Sequence, residues 1–491
     1  MKLNELTIKQ AIRGLKNKEF SSHDLTKSCL DQITKLNPLL NAYITVCEKE
    51  AISSAKQADE KIKNGDKSPL LGIPIALKDI YLTKDIRTTA SSKILDSYIP
   101  QYDATVVKRL KDAGAIILGK LNCDAWAHGS SGENSDYGPV KNPYDTKFTP
   151  GGSSSGSAVS VAANMSIASG GTDTGGSIRL PAAFCNVVGL KPTYGRVSRY
   201  GIIAMSSSLD SIGHFTKTVE DSALYLNITA GKDSFDATTP NIPVPDYSKS
   251  LNKSLKGVRV GIPKEFFGKG IDKKIKEKTM DAISFFGKQG AEIVDVSLPY
   301  TDYAIAAYYI IQPAEVSSNL ARYDGIRFGN DRSYFGKEAK RRIMLGTFTL
   351  SAGYYDAYYK KAMKVRTLIK KDYEDAFKKV DAIITPVSPT LPWKLGERIN
   401  DPLKMYLSDI FTVTANLAGI PGLSVPIGLI DPSSSSLRQD PGQAGQAALP
   451  VGMQILGPQF SEELLFNLGH QYEIANPIKD NPPLETEQTN L

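Results

Sequence analysis

The 491-residue chain has only four histidines, four cysteines and two tryptophans, and no long apolar run. Each shortage excludes something. Cys29, Cys47, Cys123 and Cys185 lie far apart, with no C-x-x-C pair and no histidine cluster beside them, so neither a zinc site nor a disulfide framework is expected. The cysteines read as reduced and mostly structural. The longest weakly polar stretch, Leu417 to Ile430, is broken by Gly, Pro and Ser and falls short of the ~18 apolar residues of a spanning helix. The opening MKLNELTIKQAIRGL alternates charged and apolar residues at helical spacing and lacks the continuous apolar core of a secretory signal, so cytoplasm is the expected location. No G-x-x-x-x-G-K-[ST] pattern occurs, which leaves nothing to support a P-loop nucleotide site.

What is present is ordinary for a large globular protein: 41% hydrophobic and 23% charged residues, enough for a sizeable core. The net charge of +7 is too diffuse to establish nucleic-acid binding. Its densest basic runs, Lys337 to Arg342 and Tyr358 to Lys371, read as solvated helix faces. Residues 1–65 carry helical periodicity (Leu6, Ile8, Ala11, Leu15, then Leu25, Leu30, Ile33, Leu36) with Ser21 and Ser22 as a candidate N-cap pair, which predicts an all-helical entry segment. From Gly72, short β-rich runs (IPIAL, AIILG, VRVGI, AEIVDV, AIIT, LSVPI, MQIL) alternate with helical patterns at Ala104–Ala113, Lys273–Gln289 and Gly353–Lys379. That alternation predicts an α/β fold around one large, largely buried sheet. The stretch from Ile430 to Leu449 reads as a surface insertion, and residues 476–491 as a polar tail beyond a main domain at 66–475.

Between Ser153 and Gly189 the composition shifts sharply to Gly, Ser, Ala and Thr, too small-sided for ordinary core. Ala158 to Ala163 is helix-forming, which argues against a flexible linker. Gly152 to Gly156 satisfies G-x-S-x-G with Ser154 in the nucleophile position, but NPYDTKFTP precedes it where an elbow needs a hydrophobic strand, and the elbow is rejected. None of His23, His128, His214 and His470 falls inside the small-residue region, so a base other than imidazole is needed if a serine there is a nucleophile.

Read jointly, GIPIALKDI (Gly72–Ile80), TPGGSSSGSAVSVAAN (Thr149–Asn164) and GGTDTGGSIRLPAAFCNVVGLKPTYGRVS (Gly170–Ser198) resemble the amidase signature family. The resemblance implies one large mixed central sheet with helices on both faces. It implies a triad in which unprotonated Lys78 acts through Ser153 on the nucleophile Ser177, and a cis peptide bond on one side of Ser153. If Gly72–Ile80 is a strand, Pro74, Ala76 and Lys78 share a face, and burial among small side chains would lower the lysine pKa as a neutral base requires. The backbone N–H groups of Thr174, Gly175 and Gly176 are the expected oxyanion donors. Ser155, Asn186 and His214–Phe215 depart from the family pattern without touching the triad.

Further segments, including SSNLARYDGIRFG from Ser317, KRRIMLGTF from Lys340 and YLSDIFTVTANLAGIPGLSVPIG from Tyr406, resemble one branch of that family, the glutaminase subunits of tRNA-dependent amidotransferases. By that resemblance Arg342 would hold the α-carboxylate of glutamine, Asp409 its α-ammonium, and Tyr308 would line the pocket; an Arg fork suits a carboxylate and an Asp suits an ammonium. No cofactor or metal is expected on this chain. ATP and Mg²⁺ are expected on a large kinase-like, tRNA-binding subunit, joined through a small bridging subunit into a heterotrimer serving aminoacyl-tRNA. The acceptor, Glu-tRNA(Gln), Asp-tRNA(Asn) or both, stays open, and the alternative is a stand-alone amidase acting on other carboxamides.

Overall fold

The computed structural model describes residues 2–268, 270–326, 329–436, 447–477 and 481–485. Most of the expected insertion after Ile430 and of the tail from 476 lies outside the described residues. Among the described residues eleven strands form one mixed sheet: β1 (Tyr43–Val46), β2 (Pro74–Lys78), β3 (Ile116–Leu121), β4 (Ala168–Asp173), β5 (Val188–Lys191), β6 (Ser211–Thr216), β7 (Arg259–Pro263), β8 (Glu292–Val296), β9 (Ala382–Pro386), β10 (Gly422–Ile430) and β11 (Leu449–Leu456). Their order is β1-β3-β2-β4-β6-β5-β10-β11-β9-β7-β8. The β2/β3, β2/β4, β7/β8 and β7/β9 pairs are parallel and the rest antiparallel, so the α/β fold around one large sheet expected from the alternating pattern is found, and the sheet is mixed as the resemblance implied. No helix among the described residues is long and apolar enough to cross a membrane.

The entry segment is not all helical. Ser21 caps the helix Ser22–Leu40, its Oγ accepting from Asp24 N–H at 3.0 Å, but that helix stops where Asn41 turns left-handed (φ 54°) and Tyr43–Val46 pairs with β3 as an edge strand. Asn37 fixes the turn by bonding both backbone groups of Tyr43, and an aromatic followed by β-branched residues is strand-forming once the helix has ended. The helical pattern expected at Gly353–Lys379 is a π turn, Tyr355–Tyr359, followed by the α-helix Lys360–Ala376.

The small-residue region is core after all. Every residue from 153 to 189 except Asn164 is buried. Its composition serves close approach: a Cβ on Gly156 would lie 2.5 Å from the carbonyl oxygens of Ala42 and Asn122, so the helix Ser155–Ala162 can seat on β3 only without one. Ser157 Oγ donates to Gly170 O and Ser169 Oγ to Ser157 O, which satisfies polar atoms at a contact too tight for branched side chains. Two of the three departures from the family pattern fit locally. Asn186 holds a left-handed backbone (φ 58°), which Asn tolerates better than most residues, and the buried His214 ring pairs Nε2 with Ser222 Oγ at 2.7 Å.

Candidate active site

Lys78 ends β2 on the same strand face as Pro74 and Ala76 and is completely buried. Its Nζ lies 2.8 Å from Ser153 Oγ, 3.0 Å from Ser154 Oγ and 2.9 Å from Thr172 Oγ1. The parallel pairing of β2 with β4 brings Lys78 beside Thr172, while the peptide bond between Gly152 and Ser153 is cis. Burial pushes the Lys78 ammonium below the usual lysine range, against the weaker pull of Cys123, Asp124, Asp210 and Asp173. The two serines beside it are not equivalent. Ser154 Oγ donates its proton to Thr172 O at 3.0 Å, whereas Ser153 Oγ has Lys78 as its partner and keeps a proton to give. The rejected elbow residue Ser154 therefore belongs to the lysine's surroundings, its hydroxyl proton spent on backbone.

Ser177 sits one turn after β4, 7% exposed, and its carbonyl accepts from Ser154 N–H at 3.2 Å, which ties the two serine segments together. The loop carrying it is shaped by Asp173, a residue that sequence reading left without a role. Asp173 accepts from the N–H groups of Gly176 at 2.9 Å and Ile178 at 3.2 Å, and pairs with Arg179 at 3.0 Å. Burial alone would raise this carboxyl, but Arg179, with Lys191 and Asn416, more than offsets it and holds Asp173 at about 2. Arg179 in turn donates to Gln454, Asn416 and the carbonyl of Thr412, so every arm of the buried guanidinium is engaged. Of the three expected oxyanion donors, Gly176 is corrected: its N–H is already bound to Asp173. Thr174 sends its hydroxyl to Asp210 at 2.6 Å, and among the described residues the N–H groups of Thr174, Gly175 and Ser177 donate to no protein acceptor.

The residues expected around an amino-acid end converge on the same loop. Tyr308, on the helix Ala304–Asn319, covers Gly175 so closely that a Cβ there would lie 2.6 Å from its hydroxyl oxygen. Thr412 Oγ1 donates to Gly175 O at 2.6 Å and lies 3.0 Å from Asp409 O, coupling the acidic residue to the serine loop. Asp409 accepts from Ser130 Oγ at 2.7 and 2.8 Å and from Tyr309 Oη at 2.9 Å; burial nevertheless pushes its carboxyl up to about 6. Arg342 belongs to the basic run read as a solvated face, yet it is 3% exposed. It donates to Glu338 at 2.8 Å and Gln312 at 2.9 Å and lies 5.4 Å over the Tyr309 ring, which stacks on Tyr406 at 3.7 Å. Its helix, Lys337–Thr349, crosses Ala304–Asn319 at Gly346, where a Cβ would strike Pro313 O. Sequence reading missed Ser130 and Tyr309 because each sits in a run with no pattern of its own.

None of the four histidines makes a hydrogen bond to Ser153 or Ser177. The arrangement thus supplies a buried amine next to a proton-bearing serine, a second serine on a glycine-rich turn with unclaimed N–H groups, and paired sites of opposite charge under one tyrosine roof.

Comparison with known proteins gives the family. Residues 24–466 match the family described as Amidase. The chain is 52% identical to a glutamyl-tRNA(Gln) amidotransferase subunit from Geobacter metallireducens, over 97% of this chain and 98% of that one. It is also 52% identical to the protein of the same name from Thermoanaerobacter pseudethanolicus, over 98% and 99%. The crystal structure of the corresponding glutamyl-tRNA(Gln) amidotransferase subunit from Thermotoga maritima superposes with a TM-score of 0.81 at 41% identity, covering 98% of this chain and 97% of that one. The chain belongs to the amidase family.

Proposed function

We propose that this chain is the glutamine-hydrolysing subunit of a tRNA-dependent amidotransferase, releasing ammonia with Lys78, Ser153 and Ser177. The observation that carries the chemistry is the completely buried Lys78 with Ser153 Oγ at 2.8 Å and a depressed pKa. A neutral amine has two N–H groups and one lone pair. Ser154 and Thr172 accept the two N–H bonds, and the lone pair takes the proton of Ser153. Ser153 then takes the proton of Ser177, whose Oγ attacks the carboxamide carbon. The oxyanion receives backbone N–H groups of the turn, those of Thr174, Gly175 and Ser177 being unclaimed. Collapse of the tetrahedral species breaks the C–N bond, and the proton returns through Ser153 to the departing ammonia. Water, deprotonated by the same relay, then hydrolyses the acyl-Ser177 ester.

The substrate reading rests on Arg342 and Asp409 together, a fork for a carboxylate and an anion for an ammonium, with Tyr308 over the reacting loop. The names of the relatives point to Glu-tRNA(Gln) as acceptor, with Asp-tRNA(Asn) the same chemistry one methylene shorter. Making an amide from a carboxylate requires prior activation, supplied by ATP and Mg²⁺ on a large kinase-like, tRNA-binding partner, with a small bridging subunit completing a cytoplasmic heterotrimer. The test incubates the purified chain with glutamine, ATP, Mg²⁺ and each mischarged tRNA, with and without the partner subunits. Ammonia from the chain alone and amidated tRNA only from the full mixture is the expected result; amidated tRNA from the chain alone overturns the division of labour.

A further inference from the structure

Two buried side chains, one bonded to Arg342 and one within reach of its charge, have polar atoms with nothing to bond. Gln312 is completely buried, its Oε1 accepts from an Arg342 N–H at 2.9 Å, and its Nε2 has no partner. The amide cannot be turned round to hide this, because a guanidinium only donates and must face the oxygen. His128 is also completely buried, and both ring nitrogens lack a partner. Arg342 itself donates through Nε and one terminal nitrogen, and its other terminal nitrogen has no acceptor among the described residues. Buried donors are nearly always satisfied in folded proteins, so an unpaired amide on the guanidinium and an unpaired imidazole under its charge suit an acceptor that binds there.

The placement of His128 is fixed by the fold. It follows a turn in which Trp126 and Ala127 both hold positive φ (60° and 62°), and it precedes Ser130, whose hydroxyl clamps Asp409, by two residues. Trp126 packs against Phe335 (ring centroids 5.4 Å apart), just before the helix that carries Arg342, so the loop and the helix are joined at that point. Burial and the nearby Arg342 charge hold the imidazole well below its usual pKa, leaving one N–H and one lone pair.

We propose that His128 and Gln312 are specificity-determining residues which, with Arg342, bind the carboxylate of an amino-acid amide. One N–H from each, together with the unclaimed Arg342 N–H groups, surrounds a planar anion, while Asp409, which shares Tyr309 with Arg342, receives the ammonium. The inference rests on the reading of an amino-acid amide as substrate, and it names which end of that substrate these residues recognise.

The test compares glutamine, glutaramic acid (the same amide without the ammonium) and 4-aminobutanamide (the same amide without the carboxylate) on the wild type, His128→Leu, Gln312→Met and Gln312→Glu. For His128→Leu and Gln312→Met the expected result is a KM raised roughly ten-fold for the two carboxylate-bearing amides, with kcat for all three and KM for 4-aminobutanamide nearly unchanged. Gln312→Glu places a carboxylate where the substrate's should lie and should lose glutaramic acid almost completely while sparing 4-aminobutanamide; because it keeps the size of the side chain, it still reads the site if an apolar variant fails to fold. Unchanged KM values, or equal losses on all three amides, overturn the proposal. A wild type that ignores glutamine yet prefers glutaramic acid over 4-aminobutanamide would refute glutamine as substrate and still support the carboxylate site.

Discussion

Lys78 Nζ and Ser153 Oγ lie 2.8 Å apart in the buried centre of the molecule, although 75 positions separate them in the chain. Parallel pairing of β2 with β4 sets the strand carrying the lysine beside the strand leading to Ser177, and the helix Ser155–Ala162 packs against both with the serine at its start. The proposed relay without histidine depends on that contact, because a lysine can act as a base only if its surroundings disfavour the ammonium.

Replacing Lys78 by Ala should remove nearly all glutaminase activity, and combining it with Ser177→Ala should remove little more, since members of one relay fail together. The sign of the pH effect follows from burial. The folded pKa is lowered, so the active neutral form prevails above that value, and activity falls as pH drops through it. Thr172→Val takes away an acceptor that favours the ammonium, and the acid limb of kcat/KM should move to lower pH. A pH profile that is flat on the acid side, or a limb that moves upward, would count against Lys78 as the base.

Gly175→Ala should reduce kcat by ten-fold or more while leaving the fold intact. The added methyl meets the Tyr308 hydroxyl at 2.6 Å, and the tyrosine can yield only by opening the roof over the serine loop. Paired far-UV circular dichroism and ammonia-release assays would check this; wild-type turnover with an unchanged spectrum would show that Tyr308 has no part in the reaction.

Asp409→Ala or Arg342→Ala should weaken glutamine use far more than hydrolysis of a small amide without charged ends. Loss of one charge-assisted partner costs about 1.5–3 kcal/mol, a ten-fold or larger rise in KM. Asp409 adds a pH dependence of its own. Its folded pKa is raised to about 6 by burial, so below that pH the free site is neutral and cannot attract an ammonium. KM for glutamine should therefore rise as pH falls through 6, whereas KM for glutaramic acid should not. Parallel curves for the two would show that Asp409 does not face the ammonium.

Much of this was legible in the sequence, for reasons that also explain what was not. The alternation of Pro74, Ala76 and Lys78 placed the lysine on one strand face, and the apolar runs named the strands from β7 to β11. Period-two patterns fade where both faces of a strand are tightly packed by small residues, and so β4, with the sequence ASGGTD, gave no strand signal. Strand β1 was hidden because its helix ends at Asn41 without the usual Gly or Pro. Arg342 was named by resemblance, but its burial was concealed by its neighbours: Lys337 and Lys340 are exposed on the same helix and Arg341 partly so, whereas Arg342 is buried where the helix packs at Gly346. The misjudged oxyanion donor has a similar origin. Glycine permits a close approach by a ligand, but it equally permits the return of Gly176 N–H to Asp173, and composition cannot distinguish the two.

The most direct test of the account is to map the adduct formed with a sulfonyl fluoride by intact-mass and peptide mass spectrometry, in the wild type and in Lys78→Ala, Ser154→Ala and Ser177→Ala. A single adduct on Ser177 is expected, retained in Ser154→Ala, strongly slowed in Lys78→Ala and absent in Ser177→Ala. Labelling of Ser154 instead, or labelling of Ser177 at an undiminished rate without Lys78, would contradict it.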